Sequence, residues 1–355
     1  MQQVTSTIPS IAVVIPNWND SRYLRQCLDS VLEQATPPDE VVVIDDCSTD
    51  DSVSLIRDRI KHEDRVRFIV NSTNLGTYGA FNVGLQHVRS DYVLPLASND
   101  FVLAGIFGHA KTCLAKYPGA GLWSAMALLV DENDKLIRFH PSAVIALRDT
   151  YLSPEQCVRY AHGLGNWFTG PTLIYNRGAL GSVGGFDPQY KGLSDLLTAL
   201  AIAARCGSVF SPEPFGATRI HREGFLSRTL ADSASLETLL GLIQERGQKL
   251  EPRLYTTDFC RRFALRMRFA VVRSGGKGAF RETADTLSGG RGLMLRVIDQ
   301  VIPGNFRSMR LGLAFFLLRP FDVWPAFWYR FLGSLLVRLK IWLRPRTSKN
   351  GLLHT

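Results

Sequence analysis

Short apolar runs alternate with amphipathic segments through the first hundred residues, and this alternation constrains the fold more than any other feature of the sequence. The runs are unbroken, as is typical of strands buried on both faces of a sheet. The segments between them carry apolar residues at helical spacing. Together they predict an α/β fold with a mostly parallel sheet covered by helices. The predicted strands are 11–15, 41–44, 66–70 and 92–96, and the predicted helices are 21–32, 52–60 and 77–88.

The alternation becomes irregular beyond residue 118 and ends near residue 235. Strands are predicted over 121–130 and 172–175, and a helix is predicted over 194–205. From about residue 235 the segments are typical of helices, with no clear strand between them. We therefore expect one domain over 1–234 and a basic, amphipathic helical region over 235–355.

The net charge of +9 is unevenly distributed along the chain. Residues 1–245 carry 20 Lys and Arg against 26 Asp and Glu, whereas residues 246–355 carry 21 against 6. A basic segment on an acidic body predicts contact with an anionic partner, either a membrane surface or nucleic acid. Because no known nucleic-acid-binding motif is present, no nucleic acid is expected and an anionic membrane surface is favoured.

Two C-terminal segments have the pattern of helices that lie in a membrane interface. One, from residue 258, places Phe259, Phe263 and Met267 on one face. The other carries an aromatic and aliphatic stripe of Phe327, Phe331, Leu335, Leu339 and Trp342. The apolar run 311–318 is too short to span a bilayer. The alternatives are a helical lid packed on the first domain and an oligomer interface.

The cysteines and the N-terminus bear on location. None of the six cysteines forms a CxxC pair, which indicates neither a disulfide framework nor a zinc ribbon and favours a reduced compartment. The first residues lack the basic start and apolar stretch of a secretory signal. We expect a cytoplasmic protein, peripheral at the inner face of the cytoplasmic membrane.

Polar and acidic residues stand where each of the first four strands ends. Parallel strands bring these ends to one edge, where open α/β sheets bind ligands. Such a rim can hold a base, a ribose and a diphosphate. No GxGxxG or GxxxxGK[ST] follows any strand, which argues against dinucleotide enzymes and P-loop NTPases. At the fourth strand, an Asx turn that caps the next helix is the alternative. The residues are Asn17 and Asn19, Asp45 and Asp46, Asn74 and Gly76, and Asn99 and Asp100.

Four segments resemble, in this order, the successive motifs of family 2 glycosyltransferases, which are inverting enzymes of the GT-A fold. They are IPNWN at 15–19, VIDDCSTD at 43–50, NLGTYGAFNVG at 74–84 and GGFD at 184–187. The resemblance covers roughly residues 10 to 225. It implies a GT-A catalytic domain over 1–234. It also implies transfer of a sugar from a nucleotide-diphosphate sugar to a hydroxyl of a glycan or a lipid-linked glycan.

The resemblance assigns roles to individual residues. Asp45 would accept a hydrogen bond from the ring N–H of the base, and Asp46 would lie behind it, toward the ribose or base. Gly76 would permit close approach of the backbone. Trp167 and Gly170 lie in the loop that faces the sugars, where Trp167 could stack on a ring. The other predicted substrate-binding residues are Pro16, Asn17, Asn19, Asn74, Asn82, Ser98, Asn99 and Asp100.

The resemblance also implies a divalent cation, Mn²⁺ or Mg²⁺, on the donor diphosphate. The acidic metal motif of the family corresponds here to residues 97–100, where Ala97 and Asn99 replace carboxylates and Asp100 remains. The predicted metal ligands are Asp100 and His221. Arg219 and Arg222, which flank His221, could instead neutralise the diphosphate.

Inversion at an anomeric carbon requires a base that removes the proton of the acceptor hydroxyl. By the resemblance this base is Asp195, which opens a helix, with Ser194 in place of a glutamate. A helix N-cap is the structural alternative for Asp195. Because Ala97, Asn99 and Ser194 depart from the family pattern, a catalytically impaired nucleotide-sugar-binding protein remains the alternative function.

Overall fold

The computed structural model describes residues 8–220, 233–274, 279–287 and 289–342. Its strands are β1 Ile11–Asn17, β2 Glu40–Asp45, β3 Val66–Val70, β4 Tyr92–Pro95, β5 Phe101–Val102, β6 Leu122–Val130, β7 Leu136–Phe139, β8 Thr150–Leu152, β9 Ile174–Asn176 and β10 Ser208–Arg219. They form one sheet in the order β3-β2-β1-β4-β9-β6-β10-β5, with β7 paired to β6 and β8 paired to β10.

The main helices lie between and after the strands. They are α1 Ser21–Leu32, α2 Ser52–Arg59, α3 Gly76–Leu85, α4 Ile106–Lys116, α5 Pro154–Leu164, α6 Arg177–Ser182, α7 Ser194–Cys206, α8 Ser233–Leu250, α9 Thr257–Ser274, α10 Ala279–Asp285, α11 Gly290–Val301 and α12 Arg307–Leu318. A last helical segment runs through Val323–Pro325 and the π-helical turns of Ala326–Leu332 into α13, Gly333–Trp342.

The sheet is mostly parallel, as predicted. Strands β3, β2, β1 and β4 pair in parallel, and β6 pairs in parallel with β10. Between these two groups β9 is antiparallel to both β4 and β6, so β4 and β6 run in the same direction. The carboxyl ends of the long strands therefore meet at one edge of the sheet.

Helices cover both faces of the sheet because its long strands are apolar on both sides. Every residue of β1 and of β6 is buried. On one face, Gly84 lets α3 pack against the sheet: a Cβ at this position would lie 2.5 Å from side-chain atoms of Val14 and Ile44. The predicted strands and helices of the first hundred residues are confirmed, with ends shifted by at most three residues.

The helical C-terminal region is confirmed, but part of its predicted role is wrong. Phe259 and Phe263 of α9 are buried in the same apolar cluster as the residues of α7. The Tyr255 hydroxyl donates to the Leu197 carbonyl at 3.2 Å. Helix α9 therefore packs on the first domain as a lid, and its aromatic face is not available to lipid.

The final helices leave apolar side chains uncovered. The stripe predicted near the end of the chain is exposed at Phe327, Phe331, Leu335 and Leu339, and Trp324 and Trp328 lie open beside it. The side chain of Trp342 lies outside the described residues. Within the described ranges, no helix combines the length and the apolar character that crossing a bilayer requires.

Candidate functional site

The ends of β1 and β2 are joined by buried polar side chains. The Asn17 amide donates to Asp45 Oδ2 at 2.9 Å and to Ser48 Oγ at 3.2 Å, and the Ser48 N–H donates to Asp45 Oδ1 at 2.9 Å. Asp45 has no exposed surface. In this structure it orders the loop after β2, so the predicted direct contact with a base is not available. Asn17 is also buried, and its Oδ1 has no hydrogen-bond partner among the described residues.

Asp46 fixes the loop that leads into α3. Its carboxylate accepts from the Asn71 amide at 2.8 Å and from the Leu75 N–H at 3.0 and 3.1 Å. Gly76 follows with a φ of +75°, which disfavours any residue with a side chain, and the space beside it is open. The Gly76 N–H donates to Asn74 Oδ1 at 2.9 Å. Asn74 and Gly76 are both exposed on the rim.

Asn19 forms the opposite side of this rim. It has a φ of 55°, and its Oδ1 accepts from the Thr49 N–H at 2.7 Å. Its own N–H donates to Ser48 Oγ at 2.9 Å, and the residue is exposed. Pro16, in contrast, is buried within β1 beneath the rim, so it does not line an open pocket.

The end of β4 turns back and bonds to β10. The Asp100 N–H donates to the Ala97 carbonyl at 3.0 Å, and Asp100 Oδ1 accepts from the Arg219 N–H at 2.9 Å. The Asp100 carboxylate therefore bonds to β10. It does not cap α4, as the alternative of an Asx turn would require. Ser98 Oγ donates to Asp20 Oδ2 at 2.7 Å. Burial raises the pKa of Asp100 to about 7, with a further contribution from negatively charged Asp20, although Arg219 acts in the opposite direction.

Asp20 is a site residue that sequence reasoning missed. In the sequence it is only the residue before α1, and the one available signal was its position directly after Asn19 at the end of a buried strand. The structure adds its contact with Ser98 and its charge interaction with Asp100. Asp20 therefore adds a second carboxylate near the end of β4, where the sequence motif retains only Asp100.

Arg219 is a buried structural cation. Its Nη2 donates to Gln26 at 2.6 Å, its Nη1 to Asp134, and its Nε to the Asn99 carbonyl at 3.0 Å. The guanidinium also lies 4.2 Å from the centre of the Tyr23 ring. The Arg219 side chain is almost completely buried by these partners, so in this structure it is not exposed to a diphosphate as the sequence predicted. His221 and Arg222 lie outside the described residues.

Asp195 lies in the first turn of α7, and the helix is preceded by Leu193 at the N-cap, so Asp195 is not the cap. Its Oδ1 accepts from the Tyr78 hydroxyl at 3.4 Å and from the Leu196 N–H at 2.7 Å. The Tyr175 hydroxyl donates to the backbone carbonyl of Asp195 at 3.3 Å. Burial raises the pKa of Asp195, although these hydrogen bonds to its carboxylate partly offset the effect.

Ser194 and Asn82 lie near Asp195, but of the two only Asn82 forms side-chain hydrogen bonds within the described part of the chain. Ser194 is buried, and its hydroxyl has no partner among the described residues. Asn82 exchanges two hydrogen bonds with the backbone of Phe186, at 2.8 and 3.2 Å, so it holds the GGFD segment against α3. The Asn82 side-chain amide is used in this contact, whereas the sequence predicted that it lines the wall of the nucleotide pocket.

Of the two residues in the loop before β9 that were predicted to face the sugars, only Gly170 is exposed. Trp167 is completely buried and packs on Phe168 with ring centres 4.4 Å apart. The prediction that Trp167 stacks on a sugar is therefore wrong, because its ring belongs to the core. Gly170 is exposed at the start of a short 3₁₀ turn.

Comparison with known proteins agrees with the motifs. Residues 12–104 match the family described as Glycosyl transferase family 2. An uncharacterized glycosyltransferase of Haemophilus influenzae is 37% identical over 95 residues, which cover 27% of this chain and 38% of that protein. The chain thus spans well under half the length of this relative.

Solved structures share the fold at low sequence identity. A fragment of S. aureus TarS in complex with UDP-GlcNAc superposes with a TM-score of 0.60 and 17% identity, covering 89% of each chain. The mannosyltransferase PcManGT from Pyrobaculum calidifontis, in complex with GDP-Man and Mn²⁺, has a TM-score of 0.52 and 19% identity, covering 94% of this chain and 88% of its own. Residues 12–104 therefore resemble glycosyl transferase family 2, and the chain shares the GT-A fold of these solved structures.

Proposed function

We propose that this chain is an inverting glycosyltransferase that moves a sugar from a nucleotide-diphosphate sugar to an acceptor hydroxyl. The observation that carries the proposal is the contact between Tyr78 and Asp195. Tyr78 lies in α3, directly after the loop that Asp46 holds. The proposed base therefore adjoins the polar rim at the carboxyl ends of β1 and β2.

In the proposed reaction Asp195 takes the proton of the acceptor hydroxyl as its oxygen attacks the anomeric carbon. The bond from that carbon to the diphosphate oxygen breaks, the nucleoside diphosphate leaves, and the configuration inverts. A base works best when its pKa lies near the working pH. The raised pKa of Asp195 agrees with this role.

The donor would occupy the exposed rim formed by Asn19, Asn74 and Gly76. The two structures of the same fold were solved with UDP-GlcNAc and with GDP-Man, which supports a nucleotide sugar as the donor class. Buried Asp45 and Asp46 would act by holding the two loops of this rim in place.

Residues beside the rim fit a divalent cation. Asp100 and Asp20 offer the carboxylate oxygens that Mg²⁺ and Mn²⁺ accept as ligands, and the Ser98 hydroxyl lies 2.7 Å from Asp20 Oδ2. When bound, the ion would neutralise charge on the leaving diphosphate. The Mn²⁺ in the PcManGT complex supports this assignment.

A glycan linked to a lipid is the proposed acceptor, and an anionic membrane is the proposed partner, at the inner face of the cytoplasmic membrane. An apolar groove of about 580 Å³ lies between residues 144–147 and the last helical segment, with Trp324 and Trp328 in its wall. Together with the exposed stripe and the basic charge of 246–355, it has the composition of a lipid-binding surface.

Asp195→Asn tests the catalytic proposal. First, nucleotide sugars are screened by thermal shift with and without Mn²⁺, because a donor that binds raises the melting temperature. With the donor found, we expect Asp195→Asn to lower transfer by about 10²- to 10⁴-fold while the donor-induced shift is retained. Asp58→Asn, which removes an exposed carboxylate of α2, is the matched control and should keep wild-type activity.

A catalytically impaired nucleotide-sugar-binding protein is the second candidate. It is favoured by the missing carboxylates at Ala97 and Asn99 and by the commitment of Arg219 to structural contacts. This candidate predicts donor binding without hydrolysis or transfer in the wild-type protein, with either metal. That result would overturn the catalytic proposal.

A further inference from the structure

We propose that His109, Cys113 and Asp149 form a zinc site that is separate from the site of sugar transfer. The ligand atoms of these three side chains all lie within 4.8 Å of one another. The site would take a borderline-soft ion such as Zn²⁺, which accepts nitrogen, sulfur and oxygen ligands together. It is independent of the proposed glycosyl transfer.

The fold brings the three ligands together from two segments. His109 and Cys113 are four residues apart on α4, so their side chains project from the same face in successive turns. Asp149 comes from the segment just before β8. Its Oδ1 lies 3.0 Å from His109 Nε2.

A fourth oxygen lies beside them. Ser211 Oγ of β10 is 3.2 Å from His109 Nε2 and 4.0 Å from Cys113 Sγ. The Trp123 ring N–H donates to this hydroxyl at 3.0 Å and fixes its position. Either Ser211 or a water molecule can therefore complete a tetrahedral set.

The spacing fits zinc after small side-chain movements. Ligands at 2.0–2.3 Å from a tetrahedral ion are separated from one another by roughly 3.3–3.8 Å. Pairs that start between 3.0 and 4.8 Å apart reach this range by rotation about side-chain bonds. The Phe215 ring, 4.8 Å from the His109 ring, limits the movement of the imidazole.

An ion can reach the site, and the ligands can hold it. Cys113 is buried, whereas the side chains of His109 and Asp149 are 28% and 42% exposed. An ion pair between His109 and Asp149 accounts for their contact, but it does not account for a thiol on the same helix face. On binding, Cys113 would release its proton to solvent and coordinate as the thiolate.

The site is distinct from the proposed donor site. Ser211 lies near the start of β10, and Arg219, which contacts Asp100, lies at its end. The two residues are eight positions apart along the strand, up to about 26 Å of extended chain. The ion would tie α4 to the β8 and β10 edge and would act on stability.

Cobalt substitution tests the proposal directly. Full-length protein is freed of metal with a chelator and titrated with Co²⁺, whose thiolate complexes absorb in the near-ultraviolet. We expect a thiolate-to-cobalt band that saturates at one equivalent and that Zn²⁺ displaces. Zn²⁺ alone should raise the melting temperature of the metal-free protein.

Variants identify the ligands. Cys113→Ser should abolish the near-ultraviolet band, and His109→Ala should weaken Co²⁺ binding more than about tenfold. Cys47→Ser, which removes an exposed thiol elsewhere, should leave the band unchanged. Circular dichroism reports whether each variant is folded. A band that persists in Cys113→Ser, or no band in the folded wild type, would overturn the zinc site without bearing on glycosyl transfer.

Discussion

Tyr78 and Tyr175 both contact Asp195, but through different atoms. The Tyr78 hydroxyl donates to the carboxylate, and this hydrogen bond lowers the pKa of Asp195 by stabilising its charged form. In Tyr78→Phe the pKa should therefore rise further, and the acidic limb of the pH profile of kcat/KM should move to higher pH. Tyr175 donates to the backbone carbonyl, so Tyr175→Phe should leave that limb in place. Equal shifts in both variants would contradict a specific role for Tyr78.

His140 makes stability depend on pH. Burial and the nearby positive charges of Arg138, Arg330 and Arg273 lower the pKa of His140 to about 4, from 6.5. The folded state therefore holds this imidazole neutral, and its contribution to stability is lost as the pH falls from about 6.5 toward 4.

The variant His140→Asn keeps an acceptor for the Ser142 N–H and removes the titration. Between pH 7.5 and pH 5 the wild type should lose about 1–2 kcal/mol more unfolding free energy than this variant. Urea denaturation at the two pH values measures the difference. His62→Asn, at an exposed position, is the control, and a wild-type pH dependence in His140→Asn would refute the assignment.

At the residue scale, motif residues could be placed from the sequence, but their partners could not. The strand-end acids follow from local patterns, and Asp195 follows from the resemblance to family 2 glycosyltransferases. Tyr78 is 117 residues from Asp195, and Ser98 is 78 residues from Asp20, so these contacts depend on the fold. Trp167 shows that a residue can be located correctly and still be given the wrong role. An aromatic residue in a loop motif has the same sequence pattern whether it packs in the core or faces a ligand.

At the element scale, α9 shows why an amphipathic pattern does not identify what covers its apolar face. Phe259→Ala should lower the free energy of unfolding by about 3–5 kcal/mol, because the Phe259 side chain is completely buried in the main core. Phe316→Ala, on an exposed face of α12, should change it by less than about 0.5 kcal/mol. Chemical denaturation compares the two variants. Near-equal effects would contradict the packing of α9.

Elements were predictable where the periodic pattern was long enough. The predicted strands 41–44 and 121–130 and the predicted helix 194–205 correspond closely to β2, β6 and α7. Strands β5, β7 and β8 have only two to four residues each, which is too short to show an alternating pattern, and their pairing is set by neighbours far along the chain. The predicted strand 172–175 overlaps β9 at Ile174 and Tyr175.

For the whole molecule, the exposed apolar stripe and the basic C-terminal charge predict binding to anionic membranes. Wild-type protein should float with vesicles that contain anionic lipid and much less with neutral vesicles, and salt should weaken the binding. A Phe327→Ser, Phe331→Ser double variant should lose most of this binding. Ile8→Ser, at an exposed apolar position elsewhere, should keep the binding.

Light scattering without lipid tests the alternative, in which a second copy of the chain covers this face. A dimer that the double variant abolishes would replace the membrane proposal.

Strand β9 forms a line in the sheet that few backbone pairs cross. It bonds β4 through only the pairs Tyr92 with Asn176 and Val93 with Tyr175, and β6 through only Leu122 with Tyr175 and Trp123 with Ile174. The polar rim belongs to the group of β1 to β4, whereas Asp195 follows β9 in the chain. Because few backbone pairs cross this line, the side-chain contacts of α3, Tyr78 with Asp195 and Asn82 with Phe186, supply much of the connection between the proposed base and the polar rim.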